Sequence, residues 1–215
     1  MSTRKALEER ETYILGHPQR MPSVARTPES EALAMDVWRR LRFAITGVDE
    51  NPGPPEAIPE IHFTMLQHPE LWEKISGLSI QLSAKGKIKA RDRELVILRT
   101  GWLCRCPFEW GEHVKFGLQL GVSEEEIERV KTGSKASGWN REDKALLQAV
   151  EELHDDAMLS DSTWEALRHS YSEAECFELT VLVGQFITTA FWLNSLRIPL
   201  NPGIRSLVDG PASTQ

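Results

Sequence analysis

Residues 91–116 read Arg-Asp-Arg-Glu-Leu-Val-Ile-Leu-Arg-Thr-Gly-Trp-Leu-Cys-Arg-Cys-Pro-Phe-Glu-Trp-Gly-Glu-His-Val-Lys-Phe. From Arg91 to Cys104 the stretch is apolar around most of a helical circumference, which predicts a buried helix of ~14 residues. The run from Leu95 to Leu98 alone would fit a strand, but the length of the whole segment and its flanking charges favour helix. Pro107 suits the first position of a second helix that runs to about Leu120 and stops at Gly121. Two helices joined through Cys104 to Pro107 form an antiparallel hairpin, and the rest of the chain is read outward from it.

On the N-terminal side, Leu33, Val37, Leu41 and Ile45 recur at steps of four, which predicts an amphipathic helix over 31–45. Asn51-Pro-Gly-Pro-Pro forbids helix and strand alike and reads as a stiff loop. A short helix follows from about Pro59, and another runs from about Pro69 to Leu82. Residues 1–30 carry Pro18, Pro22 and Pro28 among polar residues and read as an extended arm suited to an oligomer contact. On the C-terminal side, Ser123 with Glu126 and Ser172 with Glu175 match the Ser-x-x-Glu capping box, in which each side chain satisfies a backbone N–H at a helix start. Asn140 and either Asp161 or Ser162 mark two further starts. The last long helix ends before Pro199 and Pro202. No stretch alternates at period two, so the expected fold is all-α with about eight helices, divided as an extension over 1–30, a domain over 31–203 and a tail over 204–215.

Composition narrows the function. The 215 residues hold 25 Lys and Arg against 32 Asp and Glu, a formal net charge of −7, which gives no electrostatic case for nucleic acid as a partner. The longest apolar candidate, Leu179 to Leu196, is interrupted by Gly184, Gln185, Thr188, Thr189 and Asn194, so no membrane partner is expected. Residues 1–16 alternate charges without an apolar signal core, and three cysteines cannot close a disulfide framework; both point to a reducing, cytoplasmic location.

On the second hairpin helix, Glu109, His113, Phe116 and Leu120 share one stripe by steps of four, three and four, with Cys106 at its start. Burying ionisable groups is costly unless they are paired or shifted, so their place on an apolar face marks them as candidates for chemistry. His113 is the expected proton donor or acceptor, and Glu109, four residues earlier, is the expected group to orient it. Cys106, at the helix N-terminus, is expected to feel the positive end of the dipole that favours a thiolate. Glu94 lies twelve residues earlier on the buried helix, where the hairpin can carry it to the same pocket. Each has a plainer reading: an i, i+4 helix pair for Glu109 and His113, an inert thiol for Cys106, and a structural ion pair of Glu94 with Arg91, Arg93 or Arg99. Glu151-x-x-His154 has the spacing of a di-iron ligand pair, but no second copy occurs, so neither metal nor cofactor is expected.

The segments Arg91-Asp-Arg-Glu-Leu-Val-Ile-Leu-Arg, Cys106-Pro-Phe-Glu-Trp-Gly-Glu-His113-Val and Leu120-Gly-Val-Ser-Glu-Glu-Glu-Ile together resemble the carboxymuconolactone decarboxylase and alkylhydroperoxidase D-like (AhpD-like) superfamily. A weaker likeness extends over residues 31 to 200. The resemblance implies an all-α fold, a homo-oligomer (dimer, trimer or hexamer) and an active site around the helix bearing the histidine. The peroxidase branch uses a Glu, a Cys-x-x-Cys pair and a His, which fall here on Glu94, Cys106, the Glu109 position and His113. The second cysteine is replaced by Glu109, as in the decarboxylase branch. Cys104 could serve as a resolving thiol only through a small, strained ring. The leading expectation is therefore a cofactor-independent carboxy-lyase or isomerase acting on a small organic acid, lactone or aromatic-derived, with His113 as general acid or base. The alternatives are a thiol hydroperoxidase that uses Cys106, and a noncatalytic oligomeric protein.

Overall fold

In the computed structural model, which describes residues 4–49 and 54–209, the hairpin lies within a bundle of helices. Helix α5 (Ala90–Leu103) is buried at every position from Asp92 to Gly101, as its all-round apolar pattern requires. It packs against α6 (Pro107–Gln119), α7 (Glu124–Thr132), α8 (Arg141–Asp156) and α10 (Glu173–Leu196). Helix α9 (Asp161–Arg168) packs against α8 and α10. The larger of two compact units comprises these helices together with α1 (Arg4–Leu15).

The smaller unit, Gln19–Gly86, holds α2 (Pro28–Thr46), a 3₁₀ turn (Pro55–Ala57), α3 (Glu60–Met65) and α4 (Pro69–Ala84). Helix α2 packs on α3 and α4, around a cluster of Ala34, Ile58 and Phe63 flanked by Val24, Met35, Trp38 and Leu66.

The fold is all-α, with ten α-helices among the described residues rather than about eight. The main difference is α1. Its twelve residues precede the first proline, bury Leu7 and Ile14, and carry the i, i+4 pairs Arg4–Glu8 and Lys5–Glu9. Only the stretch between Gly16 and Thr27 is irregular, so the segment read as an arm contributes a helix to the larger unit. Helix α2 starts three residues before Glu31, because Thr27 and Ser30 form a reciprocal cap ahead of Pro28. Ser160, rather than Asp161 or Ser162, caps α9. The capping boxes at Ser123 and Ser172 and the Asn140 cap are present. Of the proline-rich loop, residues 51–53 lie outside the described residues, as do 210–215 of the tail.

Helix α10 is long and apolar enough, by length and composition, to cross a membrane, which differs from the reading of Leu179–Leu196 as too interrupted. Its Thr and Asn residues lower the mean hydropathy too little to change that. In the bundle it buries Leu179, Leu182, Val183, Phe186, Ala190 and Leu193, and 39% of the apolar window lies inside the protein.

Candidate active site

The turn between α5 and α6 sets the site. Gly101 carries no side chain where a Cβ would lie 3.2 Å from Glu109 Oε1 and 3.4 Å from the Trp110 nitrogen, so the first turn of α6 packs directly onto the last turn of α5. Cys104 N donates to the Thr100 carbonyl at 2.9 Å and Cys106 N to that of Gly101 at 3.0 Å. Arg105 reverses the chain with φ 49°. Cys106 is the N-cap residue of α6, and Pro107 takes the first helical position, where its missing N–H costs nothing.

His113 Nδ1 lies 2.7 Å from Glu94 Oε2. A carboxylate acceptor is satisfied by the tautomer protonated at Nδ1, which leaves Nε2 as the basic nitrogen. The other oxygen of Glu94, Oε1, accepts from Arg93 Nε at 3.3 Å, and Glu94 has no exposed surface. The imidazole packs edge-on against Phe186 of α10, with ring centroids 5.1 Å apart, and against Phe116, at 5.7 Å. It is thus held by a carboxylate on one side and by two aromatic rings, in nearly dry surroundings.

Glu109 differs in every respect but burial. Both its oxygens are buried without a hydrogen-bond partner among the described residues, and desolvation pushes its carboxyl well above the ordinary range. The spacing that put Glu109 and His113 on one face is correct. The orienting role drawn from it is not, because Glu94 rather than Glu109 makes the hydrogen bond to the imidazole. The hairpin decides this: crossing helices bring Glu94 alongside His113, and the side chain one turn back points elsewhere.

Cys106 also departs from expectation. It sits at the helix start, but complete burial and the neighbouring Glu109 push its thiol well up, against the smaller help of the Phe108 and Glu109 backbone N–H groups. Burial likewise pushes the Cys104 thiol up to about 12. All three cysteines are free.

The plainer readings hold elsewhere on the two helices. Arg91 binds Asp143 at 2.9 and 3.0 Å and also pairs with Glu126. Arg99 pairs with Glu151 at 2.8 Å and donates to the Val130 and Lys131 carbonyls that end α7. Glu151 also accepts from Ser134, and His154 Nδ1 contacts Asp155, so Glu151 and His154 serve separate contacts. Among the described residues no group of three or more His, Cys, Asp or Glu side chains could hold a metal ion. Arg93, the second partner of Glu94, was visible in the sequence as its neighbour. Phe186, seventy-three residues beyond His113, carries no local signal, since its place follows from how α10 packs.

Residues 67–152 match the carboxymuconolactone decarboxylase family model and include Glu94, Cys106, Glu109 and His113. No curated protein matches the chain in sequence. Among solved structures, a putative antioxidant defence protein AhpD from Agrobacterium tumefaciens is 24% identical, covering 64% of this chain and 94% of its own, with a TM-score of 0.58. The alkylhydroperoxidase AhpD core of an uncharacterized peroxidase-related protein from Ralstonia eutropha JMP134 is 18% identical, covering 86% and 94%, with a TM-score of 0.67. The debrominase Bmp8, in complex with 2,3,4-tribromopyrrole, is 14% identical, covering 86% and 93%, with a TM-score of 0.66. Residues 67–152, which carry the hairpin and its four side chains, thus match the carboxymuconolactone decarboxylase family, and the all-α architecture is the fold of the AhpD-like structures.

Proposed function

We propose that the protein is an enzyme whose Glu94–His113 pair moves a proton to or from a small-molecule substrate. The observation that carries this reading is the 2.7 Å contact between two buried groups, which fixes the imidazole and leaves Nε2 as the working nitrogen. Loss of carbon dioxide leaves the C–C electron pair as an enolate that an imidazolium at Nε2 protonates in its place, and in a double-bond shift neutral Nε2 first takes the proton of the carbon acid to give the enolate and then returns it at a different carbon. Glu109 stands where the thiol-dependent branch of the superfamily has its second cysteine, and the raised thiols of Cys104 and Cys106 disfavour the thiolate that attacks a peroxide. These features favour carbon acid chemistry, with a small organic acid as substrate.

A second reading has its own support: two of the similar structures carry AhpD or peroxidase-related names. In that case the proton taken by His113 comes from Cys106, and the substrate is an organic hydroperoxide. Titration with a small excess of organic hydroperoxide, followed by intact mass alongside Cys106→Ser, separates the two. The expected result is a parent chain that keeps its thiols on the timescale of a peroxidase turnover. Fast oxidation that disappears in Cys106→Ser would transfer the assignment to the hydroperoxidase.

A further inference from the structure

Helix α10 turns one apolar face to the bundle and another to solvent. The inner face packs on α5, α6, α8 and α9, and its Phe186 lies against His113. On the outer face Phe177 and Phe191 are 69% and 64% exposed, Gly184 and Thr188 are exposed between them, and Thr180, Val181 and Ile187 are half-buried. From Leu179 to Leu196, about five turns, the helix carries no charged residue. A surface helix ordinarily shows charged side chains to water, and two phenyl rings on one uncharged stripe mark a surface that is covered in use.

The pattern of that face says what covers it. From Phe177 to Phe191 it reads Phe-x-x-Thr-Val-x-x-Gly-x-x-Ile-Thr-x-x-Phe, which is the same in both directions about Gly184 apart from the exchange of Val181 for Ile187. Steps of three and four keep all seven residues on one side of the helix. A two-fold axis through Gly184 then sets Phe177 of one copy opposite the partner's Phe191, Thr180 opposite the partner's Thr188 and Val181 opposite the partner's Ile187, so every layer joins side chains of matched size. A Cβ at Gly184 would meet nothing within 4 Å of its own chain, so the fold itself does not require glycine there, although glycine weakens a helix interior. Two crossing helices are closest at the crossing and diverge to either side, which suits a glycine at the centre and phenyl rings about 10 Å away along the axis. A bilayer matches the face less well: the inner side of α10 is committed to the bundle, and Glu173, Glu175 and Glu178 at its start repel an anionic lipid surface.

We infer that the Phe177–Phe191 face of α10 is the docking surface for a second copy of this chain, in an antiparallel two-fold pair centred on Gly184. A homo-oligomer is expected from the resemblance; the surface, the register and the axis are what the side chains of α10 add. The same helix then meets the partner on one side and holds Phe186 against His113 on the other.

Sedimentation equilibrium of the full chain should show a dimer, or an even-numbered assembly built from it. Phe177→Glu with Phe191→Glu should weaken association ~100-fold or more while leaving the far-ultraviolet circular dichroism unchanged, because both rings are largely exposed in the single chain. A second readout does not depend on how that variant folds. Under mild oxidation Gly184→Cys should form a disulfide between copies, whereas Phe177→Cys should not, since antiparallel pairing holds its two copies about 20 Å apart. The parent chain, with Cys104, Cys106 and Cys176 in place, is the control. A parent that stays monomeric at ~100 µM, an odd-numbered assembly, or association that persists in the double glutamate variant overturns the pairing. So does a disulfide between copies of Phe177→Cys, which would mean parallel helices. A monomeric parent that floats with neutral phosphatidylcholine vesicles would assign the face to a bilayer instead.

Discussion

Glu94 and Glu109 are two buried carboxyls on facing helices, and the protein treats them oppositely. Glu94 receives Arg93 and His113, while Glu109 receives nothing from the described residues, so burial pushes its carboxyl well above the ordinary range. The sign of the resulting linkage is fixed. A carboxyl raised in the folded state contributes its stability fully below the ordinary value of 4.5, and the contribution is lost as pH rises toward the folded value. Over that window the parent should lose about 1.4 kcal/mol per pH unit from this group, and Glu109→Gln should lose none of it. Melting temperatures of the two proteins at about pH 5 and about pH 8 check this: the variant should gain on the parent as pH rises, and parallel curves would show that Glu109 is already ionised in the fold. For His113 the expected outcome is kinetic. Once a substrate is in hand, His113→Gln should lower kcat by ~10²-fold or more, and Glu94→Gln should lower kcat with little change in KM, because Glu94 acts through the imidazole. An unchanged kcat in His113→Gln would remove the histidine from the chemistry.

Helix α6 shows what the sequence could and could not reveal. Its start at Pro107, its stop near Leu120 and its inward stripe of Glu109, His113 and Phe116 are periodic or local signals and were legible. Which carboxylate meets His113 was not, because the i, i+4 rule describes neighbours along one helix and the hairpin adds a second helix at closer range. The opposite face of α6 was equally silent. A Cβ at Gly111 would fall within 3.0 Å of the Ile204 side chain and the Arg205 carbonyl, so the C-terminal segment crosses α6 where only glycine admits it. That segment is tied down by two hydrogen bonds from Arg205 to Glu124 at 2.9 and 2.8 Å, by one from Asn201 to Glu112 at 2.7 Å and by burial of Leu207. Gly111→Ala should cost about 1–3 kcal/mol, because the clash includes backbone that cannot rotate away. It should also make residues 204–209 more accessible to limited proteolysis. Wild-type resistance and an unchanged melting temperature would mean that the segment lies farther from α6 than this packing requires. Helix α1 was missed for a related reason: twelve mostly polar residues with only Leu7 and Ile14 buried give too weak a stripe to read before the helix has something to pack against.

The division of the chain into two compact units gives the whole molecule two responses to pH. In the smaller unit, His62 lies buried in α3 beside Trp72, with ring centroids 5.9 Å apart. Its Nδ1 has no hydrogen-bond partner among the described residues, and burial pushes its pKa down to about 3. A histidine lowered in the folded state gains its proton only on unfolding. The stability it confers is therefore complete above its ordinary value of 6.5 and falls with pH toward the folded value. Between pH 6.5 and about 5 this amounts to about 2 kcal/mol lost from the unit that holds it. In the larger unit the Glu109 linkage runs in the opposite direction over the same interval. Hydrogen exchange read by peptide should then show residues 19–49 and 54–86 losing protection as pH is lowered from neutrality to about 5, after correction for intrinsic exchange rates, ahead of the α5, α6 and α8 peptides. His62→Phe removes the titrating group while keeping an aromatic ring against Trp72, and it should abolish the pH-dependent part of that loss. Equal loss in both units, or the same loss in His62→Phe, would mean that the two units unfold as one cooperative block or that other groups govern the acid response.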